Sequence, residues 1–220
     1  MNKKLFLTAM TVALTITTAQ AATNISGVTG TNGVYNIDPE RTTGTVGYRK
    51  YENFTLDKGD KANLNFIGEI TEDGVKKSRD IDSFVNLVQN KVNINGVLNS
   101  VRDGAYYNGH AIFITPGGFV VGSSGVVNVG QLSVATPTAA KWDSLMEKWA
   151  ISDPEEITET SGYHMIGKEI GALRTSNSGA ADVEINGHVF TANGAYLSGK
   201  NVALNGKMVN GLKTNNVFLL

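Results

Sequence analysis

Few residues in this chain could do chemistry. The three histidines, His110, His164 and His188, are far apart and follow no metal-ligand spacing, and there is no cysteine. Thiolate zinc sites are therefore excluded, and the histidines read as surface or corner residues. Asp80 and Asp82 could project to one side of a strand. Calcium needs several more oxygen ligands than that, so the pair reads as part of a solvated loop. Glu155-Glu156 follows Pro154 and reads as exposed charge. No Gly-x-Ser-x-Gly, P-loop or Ser/His/Asp pattern is present, and Gly117, Gly118, Gly122 and Gly125 are wrongly spaced for dinucleotide binding. A polysaccharide-acting enzyme built of stacked strands would need carboxylates or a base clustered in one groove. In the repetitive C-terminal part only Asp182, Glu184 and Lys200 are candidates. The inventory predicts neither a cofactor nor a catalytic centre.

The elements that must position these residues are mostly short strands. In residues 83–137, runs of Val, Ile, Leu and Phe are interrupted every few residues by Asn-Gly, Asp-Gly, Pro-Gly-Gly or Ser-Ser-Gly. Apolar runs rich in β-branched residues and cut by glycine disfavour helix and favour strands joined by tight turns. Only Phe84, Leu87 and Val88 show an i, i+3, i+4 set, which leaves residues 83–89 open between a helical turn and a strand. The phrase Val92-Asn93-Ile94-Asn95-Gly96 recurs as Val183-Glu184-Ile185-Asn186-Gly187, and again 19 residues later as Val202-Ala203-Leu204-Asn205-Gly206. Such a repeat fits a β-solenoid, in which each strand pairs in parallel with its equivalent one coil away at about 4.8 Å. Val183, Ile185, Val189, Val202 and Leu204 would then point inward. Asn-Gly suits the corners because both residues tolerate positive φ. The alternative is an antiparallel meander, for which Asn-Gly is the strongest local signal. Upstream, Phe54 and Leu56 are separated from Leu64 and Phe66 by Asp57-Lys58-Gly59-Asp60, which reads as a hairpin. Residues 71–80 read as charged and solvated.

Residues 138–150 break this grammar. Trp142, Leu145, Met146 and Trp149 fall at i, i+3, i+4 and i+7, one stripe of an amphipathic helix that Asp153-Pro154 ends. Both tryptophans lie on the stripe, so the helix is expected to pack on the flank of the strands. At the N-terminus, Lys3 and Lys4 precede an apolar run from 5 to 18, and Ala19-Gln20-Ala21 fits a signal-peptidase site before Ala22. Residues 1–21 read as a cleaved signal peptide, the run being short for a membrane anchor. A charged content of 18%, 25 glycines and a net charge of -1 fit an exported β-rich protein and point away from nucleic acid. Val217-Phe218-Leu219-Leu220 has no polar cap, which predicts further coils or an association at that end.

Three ordered blocks resemble the secretion domain of two-partner secretion exoproteins, the family of filamentous haemagglutinin, and within it the leukotoxin-like large adhesins. Residues 51–66, YENFTLDKGDKANLNF, resemble the family's entry strands. Residues 84–89, FVNLVQ, followed by Ile94-Asn95-Gly96-Val97-Leu98, resemble its Asn-containing segment and the coil after it. Residues 112–122, IFITPGGFVVG, then 126–134, resemble the stretch around its Asn-Pro-Asn-Gly motif. Here that motif is Thr115-Pro116-Gly117-Gly118, which keeps the proline and final glycine and loses both asparagine side chains. The resemblance implies an all-β fold, a right-handed parallel β-helix with an N-terminal β cap and one short α-helix outside the coils. It implies a signal peptide over 1–21, a cap and entry strands over 22–80, and coils over 81–220 with the helical insertion at about 138–152. It further implies a non-catalytic role in export, with an outer-membrane β-barrel transporter bearing periplasmic domains as partner. A host surface or glycan would be met through regions beyond residue 220. The candidate secretion motif it marks is Asn86, Gln89, Asn99, Thr115, Pro116, Gly117 and Gly118.

Overall fold

The computed structural model describes residues 22–151, 171, 179–210 and 217–219. Just over half of these residues lie in strands, and the regular structure is otherwise the helix α1. The chain travels in circuits, laying one strand in each of three sheets before returning to the first. The opening circuit holds β1 (Asn24–Ile25), β2 (Val34–Ile37), β3 (Arg41–Thr43) and β4 (Val46–Tyr51). The next holds β5 (Phe54–Leu56), β6 (Lys61–Asn65) and, after a hairpin of β7 (Ile67–Glu72) and β8 (Val75–Asp80), β9 (Ser83–Val88). Then come β10 (Val92–Ile94), β11 (Val97–Arg102) with its side strand β12 (Ala105–Tyr106), and β13 (His110–Ile114). The fourth circuit is β14 (Phe119–Val121), β15 (Val126–Val129) and β16 (Gln131–Ala135), after which α1 (Ala139–Ile151) is inserted. β17 (Val183–Ile185), β18 (His188–Thr191) and β19 (Ala195–Ser198) follow, then β20 (Val202–Leu204), β21 (Lys207–Asn210) and β22 (Val217–Leu219).

From β5 onward, equivalent strands of successive circuits pair in parallel and in register. Phe54 pairs with Val92, Val92 with Phe119, Phe119 with Val183, and Val183 with Val202. This overturns the antiparallel meander. Among the described residues, the antiparallel strand pairs are β1/β5, β3/β4, β7/β8 and β11/β12, beside an isolated bridge between Thr31 and Val34. The expected hairpin over residues 51–70 is also corrected. β5 and β6 lie in different sheets, and residues 57–60 turn a corner between them. Their apolar residues still face inward, because both strands bury one face toward the same interior. Phe54, Leu56, Leu64 and Phe66 are fully buried.

The interior is filled by stacked columns. Tyr51, Phe54, Phe113 and Phe119 form a continuous aromatic chain with centroid separations of 5.3, 5.5 and 5.3 Å, the first two contacts edge-to-face, as ring quadrupoles favour. Val183, Ile185 and Val189 are fully buried, as the repeat predicts, and Val202 is half-buried. Leu204 departs from the expectation at 40% exposed, since among the described residues no strand stacks beyond β20.

Ser83–Val88 form strand rather than helix, and the strand is buried on both faces. Phe84 and Val88 face the interior, while Val85 and Leu87 lie with Tyr48, Ile112 and Ile114 on the outer face of the third sheet. That face is apolar because α1 covers it with Trp142, Leu145 and Trp149, the stripe read from the sequence. Thr138 caps the helix, its hydroxyl accepting from the Lys141 N–H at 3.4 Å. At the other end Arg41 donates to the Trp149 carbonyl at 2.7 Å and lies 4.0 Å over the Trp149 ring. A guanidinium there complements the negative end of the helix dipole.

The glycines of the repeat have a different role from the one expected. Positive φ at both turn positions occurs at Asn32-Gly33, Asp73-Gly74 and Asp103-Gly104, whereas Asn95-Gly96, Asn186-Gly187 and Asn205-Gly206 do not use it. At those corners glycine is required by close stacking. A Cβ on Gly96 would overlap the carbonyl oxygens of Asp57 and Asp60 in the preceding circuit, and one on Gly206 would overlap the Gly187 carbonyl.

Candidate functional site

The structure brings most of the candidate secretion motif to one edge, where the third sheet turns into the first. Two of the motif's polar side chains there, Asn86 and Thr115, are used internally. Asn86 points into the apolar interior and is fully buried. Its Oδ1 accepts from the Tyr51 hydroxyl at 2.8 Å, and its Nδ2 donates to the carbonyls of Phe84 and Ile112, both at 3.2 Å. Burial pushes the Tyr51 phenol well above its ordinary value, with Arg49 opposing and Glu40 adding to that shift. The pair forms a polar link between the first and second circuits inside the apolar core.

Residues 115–118 turn from β13 into β14 directly above Gln89 and Asn90. Thr115 is fully buried, and its hydroxyl donates to the Asn90 carbonyl at 2.8 Å. Thr136, one circuit on, does the same for Ala181 at 3.0 Å. Pro116 is half-buried and Gly117 exposed. Gly117 has no room for a side chain, because a Cβ would sit 2.5 Å from the Lys91 amide nitrogen. Gly118 has φ +97, and a Cβ would sit 2.8 Å from the Asp182 carbonyl. Glycine is therefore required at 117 by the tight approach of the corner below. Gln89 donates its backbone N–H to the Tyr51 carbonyl at 2.9 Å and leaves its side chain exposed.

Asn99 lies elsewhere, on the outer face of the second sheet, in a ladder the sequence did not reveal. Asn63 donates to Asn36 at 2.9 Å, Asn99 to Asn63 at 3.2 Å, and Asn128 to Asn99 at 3.0 Å. The four are in register through β2, β6, β11 and β15. Inserted hairpins make their sequence intervals unequal, which hides the repeat.

Stacking at the same edge also gathers Asp182, Glu184 and Lys200. With Lys91 and Gly117 they line a groove of about 300 Å³. Charges of both signs line it. Asp182 is engaged by Asn201 at 2.7 Å. The groove can hold a polar ligand through charge-assisted hydrogen bonds. Asp80 and Asp82 prove to flank a structural node. Arg102 makes ion pairs with both at 3.4 Å, donates to the Ile81 and Phe66 carbonyls, and lies 3.7 Å over the Tyr107 ring. His110 bonds Ser133 at 2.8 Å, and His188 stacks on Phe190. Among the described residues no group of three His, Cys, Asp or Glu side chains could hold a metal ion. His164, Glu155, Glu156, Ala19 and Ala21 lie outside the described residues; Ala22 is exposed.

Compared with known proteins, the chain matches no family model and no curated protein.

Proposed function

We propose that this chain is the secretion domain of a two-partner secretion exoprotein, folded as a right-handed parallel β-helix with an N-terminal cap. The carrying observation is continuity. The three stretches that resemble the family occupy consecutive circuits, from the end of β4 through β16, with the β7–β8 hairpin and the β12 side strand inserted between them. Parallel crossovers are right-handed in about 98% of cases, which favours that hand for the coils. Circuit one supports the cap: β1 and β3 run antiparallel to their neighbours and close the start of the stack.

In this reading the domain acts by recognition and by templating. The chain crosses the periplasm extended, engages the outer-membrane barrel's periplasmic domains, and folds outside. Each finished circuit then offers three strand edges on which the next can pair, so folding propagates along the stack. The absence of cysteine suits a chain that must thread a second membrane without disulfide locking. The test is export from cells with and without the cognate barrel. Surface delivery that depends on the barrel is expected, and equal delivery in both strains overturns the proposal.

A second reading, a stand-alone glycan-binding or polysaccharide-acting protein, is favoured by the groove that holds Asp182, Glu184, Lys91 and Lys200. It predicts that the purified chain releases reducing ends from a polysaccharide panel, or is retained by one of its members, and that Glu184→Gln removes that property.

A further inference from the structure

We infer that the outer face of the second sheet binds a neutral glycan chain, laid along the stack over the asparagine ladder. This proposal does not rest on the secretion reading, and it uses a different sheet from the groove at Asp182 and Glu184. Asn36, Asn63, Asn99 and Asn128 stand in register on β2, β6, β11 and β15, about 4.8 Å apart from strand to strand. Every bond of the ladder runs one way, each Nδ2 donating toward the cap, to the Oδ1 one circuit before. The next position in the column is Phe190, which pairs with Asn128 and is 37% exposed. At the cap end the face hollows into a groove of about 320 Å³, lined by Asn36, Asn63 and Asn65, by Ile67 and Val101, and by Asp103 from the turn between β11 and β12.

Three observations point to that ligand. First, the lining offers amides, one carboxylate and two aliphatic side chains, and among the described residues no lysine or arginine. An anion would find no counter-charge there. Sugar hydroxyls, each both donor and acceptor, match amides that offer both. Secondly, the amides are preset and not exhausted. An asparagine amide has two N–H donors and two acceptor lone pairs, and an inner rung uses one of each. Asn63 and Asn99 therefore keep one N–H and one lone pair, and Asn36, at the end of the ladder, commits neither of its N–H groups to it. Asn65 donates to Asp38 at 2.8 Å and keeps its Oδ1 as an acceptor. The existing bonds already hold these side chains in one orientation, so binding costs them little rotamer freedom. Thirdly, aromatic rings are exposed on the same face. Tyr106 lies directly opposite Val101 across β11 and β12 and is 55% exposed, and Phe190 continues the column. Such rings present an apolar body to the C–H faces of a sugar. A pyranose unit in a linear chain is about as long as the spacing between circuits, so successive sugars would meet successive rungs.

The experiment titrates the purified chain from residue 22 onward with three neutral hexasaccharides of different linkage, cellohexaose, laminarihexaose and maltohexaose, and with a sulfated heparin hexasaccharide. Saturable heat of binding is expected for at least one neutral chain, nearly independent of salt, and none for the heparin fragment. The side-chain amide resonances of Asn36, Asn63 and Asn65 are expected to shift on binding. Asn36→Ala/Asn65→Ala is expected to weaken binding about tenfold, and its urea midpoint reports whether the fold is kept. Tyr106→Ala, on a two-residue side strand, is expected to keep the fold and to weaken binding several-fold. Glu184→Gln, in the other groove, is expected to bind as the parent does. Binding of no neutral chain, preference for the heparin fragment, or affinity unchanged in both Asn36→Ala/Asn65→Ala and Tyr106→Ala overturns the proposal and leaves the ladder as architecture. Affinity lost in Glu184→Gln also overturns it, by moving the glycan to the groove at Asp182.

Discussion

At the residue scale, the contact between Tyr51 and Asn86 shows how a polar side chain in an apolar run can be structural. Tyr51→Phe strips the hydroxyl from a buried amide that has no other donor for its Oδ1. A loss of about 1–3 kcal/mol in urea unfolding is expected at neutral pH. The same substitution should alter the alkaline limb. The folded-state pKa of Tyr51 is raised above the ordinary 10.0, so the stability it contributes is fully present below that value. It is lost as pH rises from there toward the folded-state value, where the unfolded chain ionises first. Stability of the parent should therefore fall above pH 10.0 more steeply than that of Tyr51→Phe. Parallel alkaline limbs would contradict this. Gly96 makes a second residue-level case. Gly96→Ala is expected to cost about 3 kcal/mol, the upper end for overpacking, because the added carbon meets two backbone carbonyls that cannot rotate away. Gly104→Asn, at φ +74 with open space around it, should leave the unfolding midpoint nearly unchanged, since asparagine tolerates that backbone region.

At the scale of elements, α1 is best understood as the cover of the third sheet. Val85, Leu87, Ile112 and Ile114 form an apolar outer surface that would face water without it. Trp149→Ala should cost about 3–5 kcal/mol and expose that surface, measured by denaturant midpoint and dye binding. Thr138→Ala should cost about 1 kcal/mol through loss of the cap alone. The β7–β8 hairpin contrasts with the helix. Its salt bridges, Lys76 to Glu69 at 2.5 Å and Lys77 to Glu72 at 3.0 Å, are solvent-exposed and add little stability. It is held instead at its base, by Arg102 and by Gly68 against Thr42.

For the whole molecule, the position of the motif within the stack decides how a recognition role must be tested. Alanine at Gly117 or Gly118 would push against Lys91 or Asp182 in neighbouring circuits, so loss of secretion there would report loss of folding. Gln89 and Pro116 carry side chains that can be changed at the surface. Gln89→Ala should leave the unfolding free energy within about 0.5 kcal/mol of the parent, and Pro116→Ala within about 1 kcal/mol, the cost of freeing the unfolded chain at a proline. If the corner is a recognition element, both should reduce secretion through the cognate barrel. Unchanged secretion would return it to architecture.

Periodicity and turn chemistry determined much of this protein from sequence alone. The strand-rich class, the inward Val-x-Ile columns and the tryptophan stripe of α1 are local patterns, set by which side chains must leave water. What tertiary structure alone decided is who neighbours whom. Parallel pairing between circuits converted an apparent hairpin at residues 57–60 into a corner and aligned four asparagines whose spacing in sequence is irregular. It also turned the Asn-Gly glycines from turn residues into points of close stacking. The same stacking set Asp182, Glu184, Lys200 and Lys91 along one groove with Gly117, and left Thr42 buried beneath a hairpin. These relations join residues far apart along the chain, so no local pattern encodes them. They follow from backbone pairing at a fixed spacing, which sets side chains of successive circuits one above another regardless of how much chain is inserted between them.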